Sequence, residues 1–465
     1  MRARLTGALF SVISCGFMKE KIFFSSLGCD KNTVDSEMML GILSDAGYVI
    51  TDDETQADVA IVNTCCFIGD AKEESINTLI ELGNLKQEGN LKVLVATGCL
   101  AQRYREEIHR DLPEVDAILG TASFDEVAKV VGALLAQKPA QDVMKSIQEA
   151  PICGKKRIAT NGGHYAYLKI AEGCDKHCTY CVIPSVRGPY RSVPKEILIE
   201  EAKQLAKNGV KELILVAQET TRYGIDLYGK KSLAELVKEL CMIEGLAWIR
   251  ILYCYPEEMD EDLIEVIATQ PKVCHYLDLP MQHASDAILK RMGRQTNQEE
   301  LRNLVDKLRT RIPDMCIRTT FIVGFPGETE EDFRTLYDFV DTMEFDRVGV
   351  FTYSAEEGTP AAAMENQVPA EMMEERRAAL MELQQEVAFE KAAQMEGRDL
   401  LCMVEGRIPE EGIVVCRSYK DAPDVDGYVF VESDKDLMSG TMMQVQITGS
   451  DEYDLIGGFT DEFTE

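Results

Sequence analysis

No apolar run in this 465-residue chain reaches the roughly 20 residues needed to cross a bilayer as a helix. Nothing in the sequence calls for a membrane, and a soluble protein is expected. Positive charge is also scarce, with 49 lysines and arginines against 80 aspartates and glutamates and a net charge of −31. Such a surface repels a phosphate backbone unless basic groups are gathered locally, because nucleic-acid affinity comes largely from neutralising phosphates. A basic protein is the easier partner. Fifteen cysteines are present, but without the dense, short-spaced framework that staples small secreted domains, so a reducing compartment, the cytoplasm, is expected. A hydrophobic content of 45% supports globular packing, and the length calls for two to four domains rather than one core.

What is present begins with Cys174, Cys178 and Cys181, in the run Ala171-Glu-Gly-Cys-Asp-Lys-His-Cys-Thr-Tyr-Cys181. Thiolates are the usual ligands of iron-sulfur clusters, and three of them on one short loop leave the fourth iron of a cubane open to a small chelating molecule. A zinc knot is the alternative, but zinc sites usually show two separated CxxC-type pairs, and no second pair is found. The run resembles the signature of the radical S-adenosylmethionine (SAM) superfamily, which carries an aromatic residue before the last cysteine, here Tyr180. The resemblance implies a 4Fe-4S cluster whose open iron chelates SAM and whose electron generates a 5'-deoxyadenosyl radical. It also implies a place for Tyr180 near the adenine of SAM, with plain core packing as the competing role.

Along the chain, residues 1–17 read as an overextended or disordered leader, faintly similar to a secretion signal, with Met18 as the natural start. From 18 to 137, short apolar strands alternate with amphipathic helices, the pattern of a parallel α/β layer. Strands are expected at 22–26, 59–63, 93–96 and 117–119, with helices over 36–46 and 70–85. The first three strands run into Cys29, Cys65 and Cys99. Ligands of open α/β sheets gather outside the carboxyl ends of the strands, so three thiols distant in sequence converge at one rim. Taken singly, each is as readily a small buried hydrophobe, and Cys66 beside Cys65 is ambiguous.

Residues 138–163 read as a linker, polar and without sustained periodicity, and Cys153 within it has no ligand-like neighbours. A longer βα series runs from 165 to about 354, within a domain of 164–395 that takes in a connecting helix, with six expected strands at 167–170, 213–217, 249–253, 276–279, 319–323 and 348–353. Six units form a partial barrel with the cysteine loop after its first strand and active-site loops at the strand carboxyl ends. His283, in Leu279-Pro-Met-Gln-His-Ala, is either a proton-transfer group or a hydrogen-bonding partner. Gly324-Phe-Pro-Gly-Glu-Thr matches neither a phosphate loop nor a dinucleotide fingerprint. Residues 369–396 read as a long connecting helix, and from 396 to 465 short β-rich runs suggest a small β-barrel.

Taken in this order, the pieces resemble the methylthiotransferase family. Ser26-Leu-Gly-Cys-Asp-Lys-Asn, Asn63-Thr-Cys and Thr97-Gly-Cys-Leu are similar to that family's three amino-terminal cysteine motifs. The resemblance implies an α/β fold of three parts: a Rossmann-like three-cysteine domain, a partial (βα)6 radical SAM barrel, and a TRAM β-barrel. It makes Cys29, Cys65 and Cys99 ligands of a second, auxiliary 4Fe-4S cluster, Cys174, Cys178 and Cys181 ligands of the first, and both clusters are expected to face one cavity. No catalytic side chain beyond these six is implied.

Cys181-Val-Ile-Pro-Ser-Val-Arg-Gly-Pro-Tyr-Arg-Ser, Asp278-Leu-Pro-Met-Gln-His-Ala-Ser and Arg417-Ser-Tyr-Lys-Asp-Ala-Pro-Asp-Val-Asp-Gly side with the ribosomal-protein branch rather than the tRNA-modifying branch. That branch places a methylthio group on the β-carbon of an aspartate in the twelfth small-subunit ribosomal protein, free or on the small ribosomal subunit, and takes electrons from a donor such as flavodoxin. Charge agrees, since residues 396–465 hold five lysines and arginines against seventeen acidic residues, a poor grip on RNA. A tRNA adenosine methylthiotransferase and a non-catalytic iron-sulfur electron carrier are the alternatives.

Overall fold

Runs such as Val59-Ala-Ile-Val-Asn-Thr and Val93-Leu-Val-Ala-Thr form strands buried along their whole length, as parallel strands covered on both faces must be. The computed structural model describes residues 20–89, 91–139 and 141–460. The leader and the choice between Met1 and Met18 lie outside the described residues. The chain divides into two compact units: the first takes in residues up to 161 with 169–177 and 181–198, the second 162–168, 178–180 and everything from 199 on.

In the first unit, β1 (Lys21–Ser26), β2 (Val49–Thr51), β3 (Val59–Thr64), β4 (Val93–Thr97) and β5 (Ala117–Leu119) form a sheet in the order β2-β1-β3-β4-β5. All neighbours are parallel. Helices Asp30–Asp45, Gly69–Gln87 and Gly98–Arg103 follow β1, β3 and β4. The first starts at Asp30, well before the expected 36, because its opening residues Lys31, Asn32 and Asp35 are polar yet buried, which hides them from a hydrophobic pattern. Short β2 was not expected; its three residues are half exposed and add one edge strand.

Among its described residues the segment 138–163 forms no helix or regular strand, but it is tied down. Val143 bridges to Leu119 beside β5, and Arg157 forms a buried ion pair with Glu37 at 2.5 Å. Ile158 donates its N–H to the Glu37 carbonyl, and Thr160 to the Glu37 carboxylate. Buried backbone must find partners, and here it finds them on the helix Asp30–Asp45.

The chain then passes through β6 (Tyr165–Lys169) and an antiparallel ribbon, β7 (Ala171–Glu172) with β8 (Arg191–Ser192). In the second unit β9 (Glu212–Val216), β10 (Trp248–Ile251), β11 (Val273–Asp278), β12 (Cys316–Val323) and β13 (Arg347–Thr352) join β6 in a six-stranded sheet ordered β13-β12-β11-β10-β9-β6. This is the partial βα barrel. β11 and β12 begin earlier than read, at residues that include Cys274 and Cys316, small buried thiols that serve as apolar strand residues.

After the helix Ala370–Ala393, five strands close a small barrel: β14 (Asp399–Ile408), β15 (Ile413–Ser418), β16 (Val429–Glu432), β17 (Met442–Asp451) and β18 (Asp454–Phe459). Val404, Val414, Val431, Met443 and Val445 fill it. Among the described residues no helix is long and apolar enough to cross a membrane.

The end of β15 and the loop after it tie this barrel to the larger sheet. Tyr165 and Tyr276 donate their hydroxyls to Asp424 and Asp426 at 2.8 and 2.7 Å, Arg347 pairs with Asp421 at 2.7 Å, and Arg417 pairs with Glu212 at 2.5 Å. Tyr165, Glu212 and Arg347 open β6, β9 and β13. The loop therefore covers the amino ends of the strands and leaves the carboxyl ends, where ligands of such barrels bind.

Candidate metal centres

β1, β3 and β4 lie side by side, and each delivers a cysteine just past its carboxyl end. Cys29 is the N-cap of the helix Asp30–Asp45, Cys65 follows β3, and Cys99 sits in the first turn of Gly98–Arg103. The three sulfurs sense one another. Burial pushes the Cys65 thiol up to about 12, with repulsion from Cys29 and Cys99 adding to it. Burial likewise raises Cys99, opposed by Arg187 and reinforced by Cys29. The expected convergence of Cys29, Cys65 and Cys99 is found.

Local geometry explains why glycine precedes two of these cysteines. Gly28 and Gly98 both take left-handed backbone, with φ of +91° and +89°, which glycine alone adopts without strain. A Cβ on Gly28 would stand 2.9 Å from Cys65 Sγ, and one on Gly98 would collide with Asn63 Oδ1 and the Thr64 carbonyl. The bare backbone is what lets the thiols approach. Cys65 is held in turn by Ser75, which accepts its N–H at 2.9 Å and donates to its carbonyl at 3.0 Å.

Among the described residues, no three histidine, cysteine or acidic side chains close on a geometry for a single metal ion. A cubane places each thiolate on a different iron, so its ligands stand farther apart than those around one ion. Three thiols and a cleared backbone fit such a cluster. Cys66 is buried in the apolar core with Val62 and Leu100, and burial raises its thiol to about 12 despite Arg103.

Beside Cys99 lies a polar group that the sequence reading passed over. Arg187, fully buried, donates its Nε–H to Cys99 Sγ at 3.3 Å. Its other nitrogens reach Asp35 at 2.8 Å, Glu172 at 3.2 Å and the Asn32 side chain. Lys169 pairs with the same two carboxylates, at 2.8 Å to Glu172. Arg187 stood in the quoted run after Cys181, but nothing in that run tells where its guanidinium points.

The loop carrying Cys174, Cys178 and Cys181 contributes to both units. In the first, Cys174 donates its N–H to the Gly188 carbonyl at 3.1 Å, Cys181 Sγ accepts the Ile183 N–H at 3.5 Å, and His177 takes a left-handed φ of +50°, uncommon outside glycine. In the second, Thr179 donates its N–H to Met292, donates its hydroxyl to the Arg291 carbonyl, and accepts the Ala361 N–H. Cys178 Sγ lies 3.9 Å from the Tyr255 hydroxyl, over whose ring Arg294 stacks at 4.3 Å.

Tyr180 meets Phe325 edge-on, ring centres 6.4 Å apart, against a cluster of Ile288, Met292, Phe325 and Tyr353. His283 is fully buried and accepts the Ser285 N–H through Nδ1, the hydrogen-bonding role. Glu328 accepts the N–H groups of Gly324 and Phe325 and pairs with Arg376, so the glycine-rich run is braced by its own glutamate.

Comparison with known proteins places these features in context. Residues 21–120 match the family described as Uncharacterized protein family UPF0004, 168–340 the Radical SAM superfamily, and 397–459 the TRAM domain. A protein of Lachnoclostridium phytofermentans named Ribosomal protein uS12 methylthiotransferase RimO is 57% identical over 437 residues, 94% of this chain and 99% of that one. Its namesake in Acetivibrio thermocellus is 50% identical over 453 residues, 96% and 99% of the two chains. Among solved structures, the radical SAM methyltransferase TsrM of Kitasatospora setae, with tryptophan substrate and a SAM analogue bound, superposes with a TM-score of 0.53 at 14% identity. The match covers 82% of this chain and 77% of that one, and shows a shared fold.

Proposed function

Because the chain belongs to the family of radical SAM ribosomal protein uS12 methylthiotransferases, we propose that it places a methylthio group on the β-carbon of an aspartate of uS12, the twelfth small-subunit protein. In this reading Cys174, Cys178 and Cys181 hold one 4Fe-4S cluster open to SAM, and Cys29, Cys65 and Cys99 hold a second. When bound, these groups supply a radical to remove hydrogen, a sulfur to insert and, from a second SAM, a methyl group. The β-hydrogen of an aspartate is not acidic enough for a side-chain base at neutral pH, which is why radical chemistry is called for.

The chain's own residues position and exclude. Cys29 is held in place as the N-cap residue of a 16-residue helix. The clamp on Thr179 fixes the loop between Cys178 and Cys181, and Tyr180 is proposed to border the adenine of SAM. The acidic terminal barrel suits a basic ribosomal protein, with nucleic acid met only through the ribosome, and a flavodoxin-like donor in the cytoplasm is the proposed source of electrons.

The observation that carries this reading is the meeting of three thiols on neighbouring strands in a chain that also bears the CxxxCxxC loop. The test is incubation of cluster-reconstituted protein with SAM, reductant and either uS12 or tRNA. A mass gain of one methylthio group on uS12 is expected. Gain on tRNA alone would reject the substrate, and absence of SAM cleavage would leave an electron carrier.

A further inference from the structure

The guanidinium of Arg187 is buried among groups that together determine its orientation. Arginine offers five N–H donors in a rigid planar fork, and here they are divided. Nη1 meets Asp35 and Glu172, Nη2 meets Asn32, and Nε is left directed at Cys99 Sγ at 3.3 Å. The two carboxylates are shared with Lys169, so the four charged groups balance without Cys99. A thiolate at Cys99 is therefore the added negative charge of this pocket, and it receives a charge-assisted hydrogen bond away from water, where such bonds are strongest. Asn32 and Asp35 come from the helix that Cys29 caps, and Arg187 ends the short helix that follows Cys181.

We propose that Arg187 is a positioning residue for the amino-terminal trio, fixing Cys99 and raising the reduction potential of the cluster which, on the reading above, that trio holds. Hydrogen bonds to cluster sulfurs are among the factors that set such potentials. An N–H donor draws electron density from the thiolate and so favours the reduced cluster. Asp35 and Glu172 act through Arg187 by directing Nε at the sulfur. Lysine at this position keeps the charge but lacks the fork, so it cannot serve all four acceptors at once.

The experiment uses the full chain with Cys174, Cys178 and Cys181 replaced by alanine, loaded with iron and sulfide, so that one cluster is read. Arg187→Lys, Arg187→Gln and, as a control, Arg157→Gln are compared for iron content and midpoint potential. The Arg157 side chain is also largely buried in the same unit, but it pairs with Glu37. Iron retained with a more negative midpoint in either Arg187 variant, and no shift in the control, is the expected result. An unchanged or more positive midpoint, or loss of iron from both Arg187 variants accompanied by unfolding, would overturn the proposal. A parent protein that takes up no iron at all would instead overturn the ligand assignment of Cys29, Cys65 and Cys99, and this proposal with it.

Discussion

At Gly98 and Gly89 the backbone takes the same left-handed turn, φ +89° at both, yet the two glycines carry different burdens. Around Gly89 a Cβ meets nothing within 4 Å, whereas at Gly98 it would fall 2.3 Å from Asn63 Oδ1 and 2.5 Å from the Thr64 carbonyl. Gly89→Ala should therefore cost only the strain of a left-handed alanine, about 1 kcal/mol. Gly98→Ala adds an overlap with backbone and should cost about 3 kcal/mol or more. Urea unfolding of the two variants checks this, and equal losses would contradict the packing argument. The motif Thr-Gly-Cys was legible in the sequence, but the reason for its glycine was not, because the colliding atoms belong to a different strand.

Among elements, the end of β15 and the loop after it bear the junction between the small barrel and the sheet. Glu212 lies fully buried between Arg250 at 2.7 Å and Arg417 at 2.5 Å. Burial alone would raise its carboxyl, but the two arginines hold it below the ordinary value. Breaking a buried ion pair on one side leaves charge uncompensated, so Arg417→Met should destabilise the protein by about 3 kcal/mol. A shift of the urea midpoint would report it, and no shift would mean that Arg250 alone neutralises Glu212.

The same junction carries an acid-sensitive contact. Burial would raise the Asp346 carboxyl, yet Lys420, Lys391 and the Ile317 N–H hold it below its ordinary 3.8. A carboxylate depressed on folding contributes stability that is complete above the unfolded value and is lost as pH falls through the folded one. Stability of the wild type should thus fall more steeply below about pH 4 than that of Asp346→Asn. Parallel acid titrations of the two would refute this.

The sequence exposed the elements of this region well and their joining poorly. The strands show as apolar runs and the barrel as short β-rich pieces, but Arg417, Tyr419 and Asp426 stood out only as part of the run that sides with the ribosomal-protein branch. What they touch, Glu212, the Arg250 side chain and Tyr276, lies more than a hundred residues away in the chain, and no local period encodes such a pairing.

For the whole molecule, cysteine spacing was the most readable signal. Cys174, Cys178 and Cys181 announced themselves by their gaps, and Cys29, Cys65 and Cys99 by ending three strands that prove to be neighbours. The surrounding charges did not show, because Lys169 and Arg187 are buried against partners on the helix Asp30–Asp45, and Glu172 against those two cations, rather than by their own hydrophobicity.

The central claim, two independent thiolate trios each holding a cluster, is tested most directly by iron and sulfide analysis of the variant with Cys174, Cys178 and Cys181 all changed to alanine. About half the iron of the parent should remain, as a 4Fe-4S cluster visible by electron paramagnetic resonance after reduction. A variant devoid of iron, with the fold intact by circular dichroism, would contradict the account.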